Sequence, residues 1–311
     1  PNPVSGTRMA EASNQTTLPR VPVEAFVIPD RSSFLRALDL TDPGLSTVKC
    51  ALDASDTEAA ATAFMGHFRS VPLSSPLLPD WTQIPRDPEY RNSVADDCLA
   101  GRLVDGYNVY NVPDTGVDWH RAPLFCMPRF PIFRDLLLAA HHTADPPYVR
   151  FIVDHSLEYI DAYPIESFAG MSSNDGYVDH YTVGPPTWWC LLPERHEEWA
   201  HALTLLRHSS DVSDEELLTI LHRMLEEVRY LMTQIPAWVA RRHNAAGYMI
   251  RVTAMLSCLY ADFRESRRWQ KDAGKWFREY LYDGFYPDGL YKELTLGYTS
   301  SVSAQASRTA Y

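Results

Sequence analysis

The stretch Ser213-Asp214-Glu215-Glu216-Leu217-Leu218-Thr219-Ile220-Leu221 decides the fold. Ser213 followed by Glu216 is a capping box: the serine oxygen takes a first-turn N–H, and the glutamate reaches back to the serine N–H. Leu217, Leu221, Met224, Val228 and Leu231 then recur at helical spacing and lay one apolar stripe along a long helix. The same period appears outward in both directions. Residues 130–143 carry Phe133, Leu136, Leu137 and Ala140 on one face. Asp145-Pro146-Pro147 opens a helix over 148–163 with Val149, Ile152, Val153, Leu157 and Ile160 inward. Residues 191–208, 244–264 and 269–282 read as further helices, with Pro236 opening the segment after the capped helix. Helix plus connection repeats every 30 to 50 residues or so, as stacked helical hairpins require. The expected fold is all-α, an incomplete (α/α) toroid of antiparallel helical hairpins with an irregular N-terminal segment.

That segment is read in pieces. Residues 1–20 are polar and expected to be a leader or tag, with Met9 a candidate native start. An apolar run over 21–28 is expected as a strand, and 34–40 and 57–69 as helices, the second with Ala60, Phe64 and Phe68 inward. Pro72, Pro76, Pro79, Pro85 and Pro88 punctuate an extended wrap that carries Trp81. Val104, Tyr107, Val109 and Val112 alternate as in a hairpin or irregular loop. The expected division is a leader at 1–20, an N-terminal segment at 21–116 and a toroid domain at 117–311. Residues 164–187 form a long polar loop, a length that often carries function.

Composition excludes several classes. Basic residues number 28 against 40 acidic ones, a net charge of −12, which makes a poor generic nucleic-acid binder. No run reaches transmembrane length, and no charged-then-apolar signal pattern opens the chain. A removed signal would look the same, so the compartment stays open. The five cysteines are scattered without a CxxC, which fits buried thiols better than a disulfide scaffold. Neither a GxSxG motif nor a P-loop is present. His196-Glu197-Glu198-Trp199-Ala200-His201 resembles a zinc-protease motif but places its histidines about 140° apart around a helix, so no metal site is expected.

Three patches carry candidate chemistry. Arg195 shares a helix face with Trp199, Ala202 and Leu206 behind Trp188 and Trp189; it is either an ion-pair partner or an anion contact facing a cleft. Arg241-Arg242-His243-Asn244 stands at a helix start whose next turns carry Tyr248 and Arg251. An asparagine there is ordinarily a cap, but two arginines, a histidine and free N–H groups at a helix N-terminus also make an anion site. Pro287-Asp288-Gly289 breaks an aromatic helix and leads to Glu293 and Tyr298. Tyr298 is either a packed rim residue or an acid/base whose pKa neighbouring cations lower.

Taken in order, these patches resemble the N-terminal helical domain of the heparinase II/III-like polysaccharide lyases over about residues 117–311. The resemblance rests on the helix pair opened by Tyr148-Val149-Arg150-Phe151, on Thr187-Trp188-Trp189 before the Arg195 and Trp199 helix, and on His243-Asn244 opening a helix. Pro287-Asp288-Gly289 with Glu293 and Gly297-Tyr298 completes it. It implies an (α/α) toroid followed by a C-terminal β-sandwich, and β-elimination at a uronic acid residue of an acidic polysaccharide or oligosaccharide. Asn244 matches the residue that neutralises the uronate carboxylate, and Tyr298 the acid or acid/base. His243 is a helper; Arg195, Arg242, Tyr248, Arg251 and Trp188 are candidate substrate contacts, and Glu293 a brace for the Tyr298 loop. From the residues of this chain no cofactor, metal, membrane or nucleic-acid partner is expected, although the resemblance implies a structural metal site in the β-sandwich of many relatives. The resemblance implies a secreted or periplasmic protein, and Met9 as native start a cytoplasmic one.

Two departures stand out. Thr299 follows Tyr298 where the family commonly has His, and the β-sandwich, which contributes a catalytic His in relatives, is absent from the chain. It is expected on the same gene product or on a second chain. Two other readings stay open: a toroid glycoside hydrolase using Asp288 with Glu293 or Asp175 with Asp179, and a non-catalytic carbohydrate-binding or scaffold fragment. Heparan sulfate, alginate and hyaluronan all fit a carboxylate clamp, the acidic charge weighing mildly against a heavily sulfated polymer.

Overall fold

The structure is a computed structural model that describes residues 18–73, 75, 77–104, 109–113, 116–119, 130–171 and 191–292. The apolar run at the start is not a strand. It makes one 3-10 turn, Val23–Ala25, behind Pro22; among the described residues only Val21 exchanges backbone bonds with a distant segment, accepting from Gly170 at 2.8 Å and donating to Met171 at 3.4 Å, and burial holds the rest. Val21, Phe26 and Ile28 are buried, and the Ile28 N–H donates to the Glu226 carboxylate at 2.7 Å. Leu18 is buried as well, and the Pro19 carbonyl accepts from the Gln234 amide at 3.0 Å, so residues expected in the leader are packed.

Four short helices follow, each begun by a polar cap or a tight turn. Helix α1 (Arg31–Arg36) is capped by Asp30, α3 (Thr57–Ser70) by Asp56 and α4 (Ser93–Leu99) by Asn92, while α2 (Ser46–Asp53) continues a Pro43–Leu45 turn. Helices α2 and α4 are too short to show a stripe in sequence. The expected hairpin is present: β1 (Arg102–Val104) pairs antiparallel with β2 (Val109–Asn111), Leu103 opposite Tyr110.

The helical hairpins then stack in order. They are α5 (Phe133–Thr143), α6 (Pro146–Ala162), α7 (Leu191–Leu206), α8 (Asp214–Arg241), α9 (Asn244–Leu259) and α10 (Ser266–Gly284). Helix α5 packs on α6 and α7, α7 on α8 and α9, and α9 on α10. This is the incomplete (α/α) toroid of antiparallel hairpins, and the described residues contain no helix long and apolar enough to cross a membrane. The capping box forms as read, with Ser213 N–H donating to Glu216 at 2.8 Å and Ser213 Oγ accepting from Glu216 N–H at 3.3 Å. Pro236, expected to open a new segment, lies inside α8. A proline removes one N–H and crowds the carbonyl four residues back; the buried neighbours Ile235, Ala237, Trp238 and Val239 hold the helix on course across it.

One buried core runs from Leu18 to Tyr291 among the described residues. Its aromatic centre joins α5, α6 and α7. Phe130 stacks on Phe133 at 4.5 Å, and the Trp199 indole N–H donates to Ser156 at 2.9 Å. Burying one such aromatic side chain contributes about 4–6 kcal/mol at 25 cal/mol per Å².

Candidate functional site

The turn between α8 and α9 is tight. Arg242 closes α8 with a left-handed φ of 58°, and α9 starts two residues later. The capping role falls to His243, whose Nδ1 accepts from the Ala245 N–H at 3.2 Å while its ring meets Trp238 edge-on at 4.8 Å. Asn244 is therefore not the cap that an asparagine at a helix start ordinarily is; it is the first helical residue, with 6% of its surface exposed. Asn244, Tyr248 and Arg251 follow at i, i+4 and i+7 and share one face of α9.

That face meets a polar face of α7. Two Arg251 nitrogens donate to Glu197, one of them at 2.7 Å. Arg134 on α5 stands 4.0 Å from the same carboxylate. Glu194, Glu198 and His201 lie on the same side of α7, one turn before and after. Burial would raise the Glu197 carboxyl, but the bond and charge of Arg251 outweigh it and hold it below its ordinary value. Glu198 lacks such a bond, and burial pushes it up to about 8. Its Oε2 has no hydrogen-bond partner among the described residues. Burial pushes His201 down to about 4. Near neutrality the wall thus holds an ionised Glu197, a neutral His201 and a Glu198 that still carries its proton. The histidine spacing of this motif excludes a zinc site but leaves its acidic face unassigned. The signal for this wall is the acidic and histidine spacing along one helix face.

The Pro287-Asp288-Gly289 turn closes on the other side. Gly289 donates to the Tyr286 carbonyl at 2.9 Å with φ +87°, a conformation that favours glycine, and Asp288 accepts from the Leu290 N–H at 3.0 Å. Tyr291, fully buried, donates its hydroxyl to the Arg242 carbonyl at 2.5 Å and accepts from Tyr280 at 3.1 Å. Tyr280 can lie there because Gly247 is bare: a Cβ would stand 3.3 Å from its ring. The turn is thereby fastened to the residue two before Asn244. Glu293 and Tyr298 beyond it, and Trp188, lie outside the described residues.

The expectation that Arg195 contacts a sugar acid is not met. Its side chain is fully buried, with Nε and a terminal nitrogen on Glu227 at 3.0 and 2.6 Å. Arg223 and the Tyr159 hydroxyl take the other Glu227 oxygen at 2.7 and 3.2 Å. Burial would raise this carboxyl; Arg195 and Arg223 prevail and hold it down at about 2. The ion-pair reading of Arg195 is the one its surroundings support, because α8 brings Glu227 against the helix face that also carries Trp199. His196 is equally interior, with its ring nitrogens 2.7 and 3.3 Å from the Leu192 and Met224 carbonyls. Arg242 is exposed beside the α9 start.

The helical array, the Asn244 face and the adjoining turn define a class. Residues 34–309 match the heparinase II/III N-terminus family, and the chain belongs to that family. The match begins at Phe34, well before the 117 at which the sequence resemblance starts. Among solved structures, the crystal structure of a heparinase III superposes with a TM-score of 0.73 at 18% identity, covering 91% of this chain and 43% of that one. The heparan sulfate lyase HepC from Pedobacter heparinus gives 0.63 at 16% identity, over 93% and 47%. A heparinase III solved with methylated lysines gives 0.66 at 18%, over 92% and 46%. The chain therefore spans less than half the length of these proteins, and at such identities the likeness is one of fold. No curated protein matches the chain in sequence.

Proposed function

We propose that the chain is the helical part of a polysaccharide lyase that cleaves an acidic polysaccharide by β-elimination at a uronic acid. The observation that carries this reading is the Tyr291 bond to the Arg242 carbonyl. It ties the root of the segment bearing Tyr298 to the α9 start that bears Asn244, the two residues the chemistry needs together. The proton on C5 of a uronate is weakly acidic until the adjacent carboxylate is neutralised. The Asn244 amide donates to that carboxylate, aided by His243 and the positive end of α9. Tyr298 removes the C5 proton, a C4–C5 double bond forms as the C4–O4 bond breaks, and the Tyr298 hydroxyl returns the proton to the departing O4. Arg242, exposed at the same turn, and Tyr248 on the Asn244 face are the substrate contacts this reading retains; Arg251, buried and paired with Glu197, braces that face. Glu293 braces the Tyr298 segment, and Trp188 stacks on sugar.

The substrate class follows from the family and from its named neighbours, which include a heparan sulfate lyase. The remainder of the lyase, including any β-sandwich, belongs to the same gene product or to a partner chain. The test is a panel of heparan sulfate, hyaluronan and alginate offered to the complete gene product. An ultraviolet-absorbing unsaturated product is expected from at least one of them. Saturated products would transfer the site to hydrolysis, and binding without turnover would leave a carbohydrate-binding scaffold.

A further inference from the structure

At the far end of α9 from Asn244, a pocket of about 390 Å³ opens between the end of α3, the residue after α7, the last turn of α9 and the start of α10. Thirteen residues of helix separate Asn244 from Ser257 on the pocket wall, so the two places lie about 20 Å apart. Among the described residues, the wall holds a cation with no acidic partner in contact. Arg207 is 2% exposed; it donates to the Val71 carbonyl and lies 4.9 Å over the Phe68 ring. Its Nε is buried without a hydrogen-bond partner. The nearest acid in the pocket, Asp262, is engaged with His67 Nε2 at 3.1 Å and reaches Arg207 only through its field. A buried guanidinium without a carboxylate is costly unless something else supplies negative charge.

Two further features face the same space. Arg267 and Gln270, exposed on the first turns of α10, add a cation and an amide to the rim. The N-terminus of α10 has no side-chain cap, so its partial positive charge is not offset by one. The Ser257 and Ser266 hydroxyls already donate to the Ala254 and Ala261 carbonyls, so they do not supply the donors.

We propose that this pocket binds a small oxyanion, a sulfate or a sugar carboxylate, between the Arg207 charge at its wall and the Arg267 and Gln270 donors at its rim. Asp262 opposes the ligand and sets its affinity low. The site is separate from the Asn244 face, and it stands whether or not the chain is a lyase. If Arg207 served only to hold the Val71 carbonyl, no ligand would be taken up.

The experiment is calorimetric titration of the full chain with inorganic sulfate and, separately, with glucuronate, at ionic strength held constant with chloride. One-to-one binding of at least one probe is expected. Arg267→Gln, at an exposed position that leaves the fold alone, should weaken it about tenfold, the loss of one charge-assisted bond. Asp262→Asn should tighten it. Sulfate alone would assign the pocket to a tetrahedral oxyanion, and glucuronate alone to a sugar acid. Binding of neither probe, or binding that Arg267→Gln leaves unchanged, overturns the proposal.

Discussion

Four donors from three side chains converge on the Glu227 carboxylate: two from Arg195, one from Arg223 and the Tyr159 hydroxyl. Removing the charge leaves two arginines buried in α7 and α8 without it. Glu227→Gln should therefore cost about 3–5 kcal/mol in urea unfolding; a loss under about 1 kcal/mol would mean that water reaches the node. The carboxyl is held at about 2, below its ordinary 4.5, so its contribution is complete above 4.5 and is lost as pH falls through 2. Glu198 works in the opposite sense. Its folded value of about 8 lies above 4.5, so the folded state holds the extra proton and stability declines as pH rises from one value to the other. Glu198→Gln should remove that decline, leaving the decline from Glu226, which burial pushes up to about 7, against the rise up to pH 6.5 from His196 and His201, both pushed down to about 4. An unchanged profile would show Glu198 to be solvated. Neither carboxylate could be told from a surface glutamate by its neighbours in sequence, because burial and partners come from helices distant along the chain.

At the scale of elements, long helices are legible and short ones only in part: the helix expected at 34–40 is α1, which starts at Arg31 and ends at Arg36. Helices α5 to α10 are long enough for a stripe to repeat, and their existence was readable from apolar spacing and caps. Helices α2 and α4 are eight and seven residues long, and they are held by tertiary contacts that no local pattern announces. The 21–28 run shows the same limit: apolar residues without an alternating pattern are buried equally well in a turn. A proline does not by itself end a helix. Pro236 sits inside α8, where it forgoes the bond to the Met232 carbonyl. Pro236→Ala should restore that bond and raise stability by about 1–3 kcal/mol by chemical denaturation; no gain would show that packing, not the ring, sets the local helix geometry. Tyr291→Phe addresses the link between α9 and the turn. It should cost about 1 kcal/mol of stability and lower turnover by more than the unfolded fraction explains. Equal losses in the two measurements would reduce Tyr291 to a packing residue.

Over the whole molecule, the order of short motifs was more informative than any one of them. His243-Asn244 and Pro287-Asp288-Gly289 stand far apart in sequence, and the fold brings them together through Tyr291 and Arg242. Arg195 was misleading for the same reason that the order was useful: a sequence places residues along a helix but does not say which neighbour will cover them. Under the proposed function, the net charge of −12 is a general repulsion against the polymer that the cations of the α8–α9 turn would offset locally. The central claim is that Tyr298 carries the proton in a uronate elimination. Its most direct test is turnover of the complete gene product bearing Tyr298→Phe, followed by ultraviolet absorbance of the unsaturated product, with helicity and unfolding measured on the same sample. Loss of turnover with the fold and polymer binding retained is the predicted result; a Tyr298→Phe protein that still forms unsaturated product at the unaltered rate would contradict it.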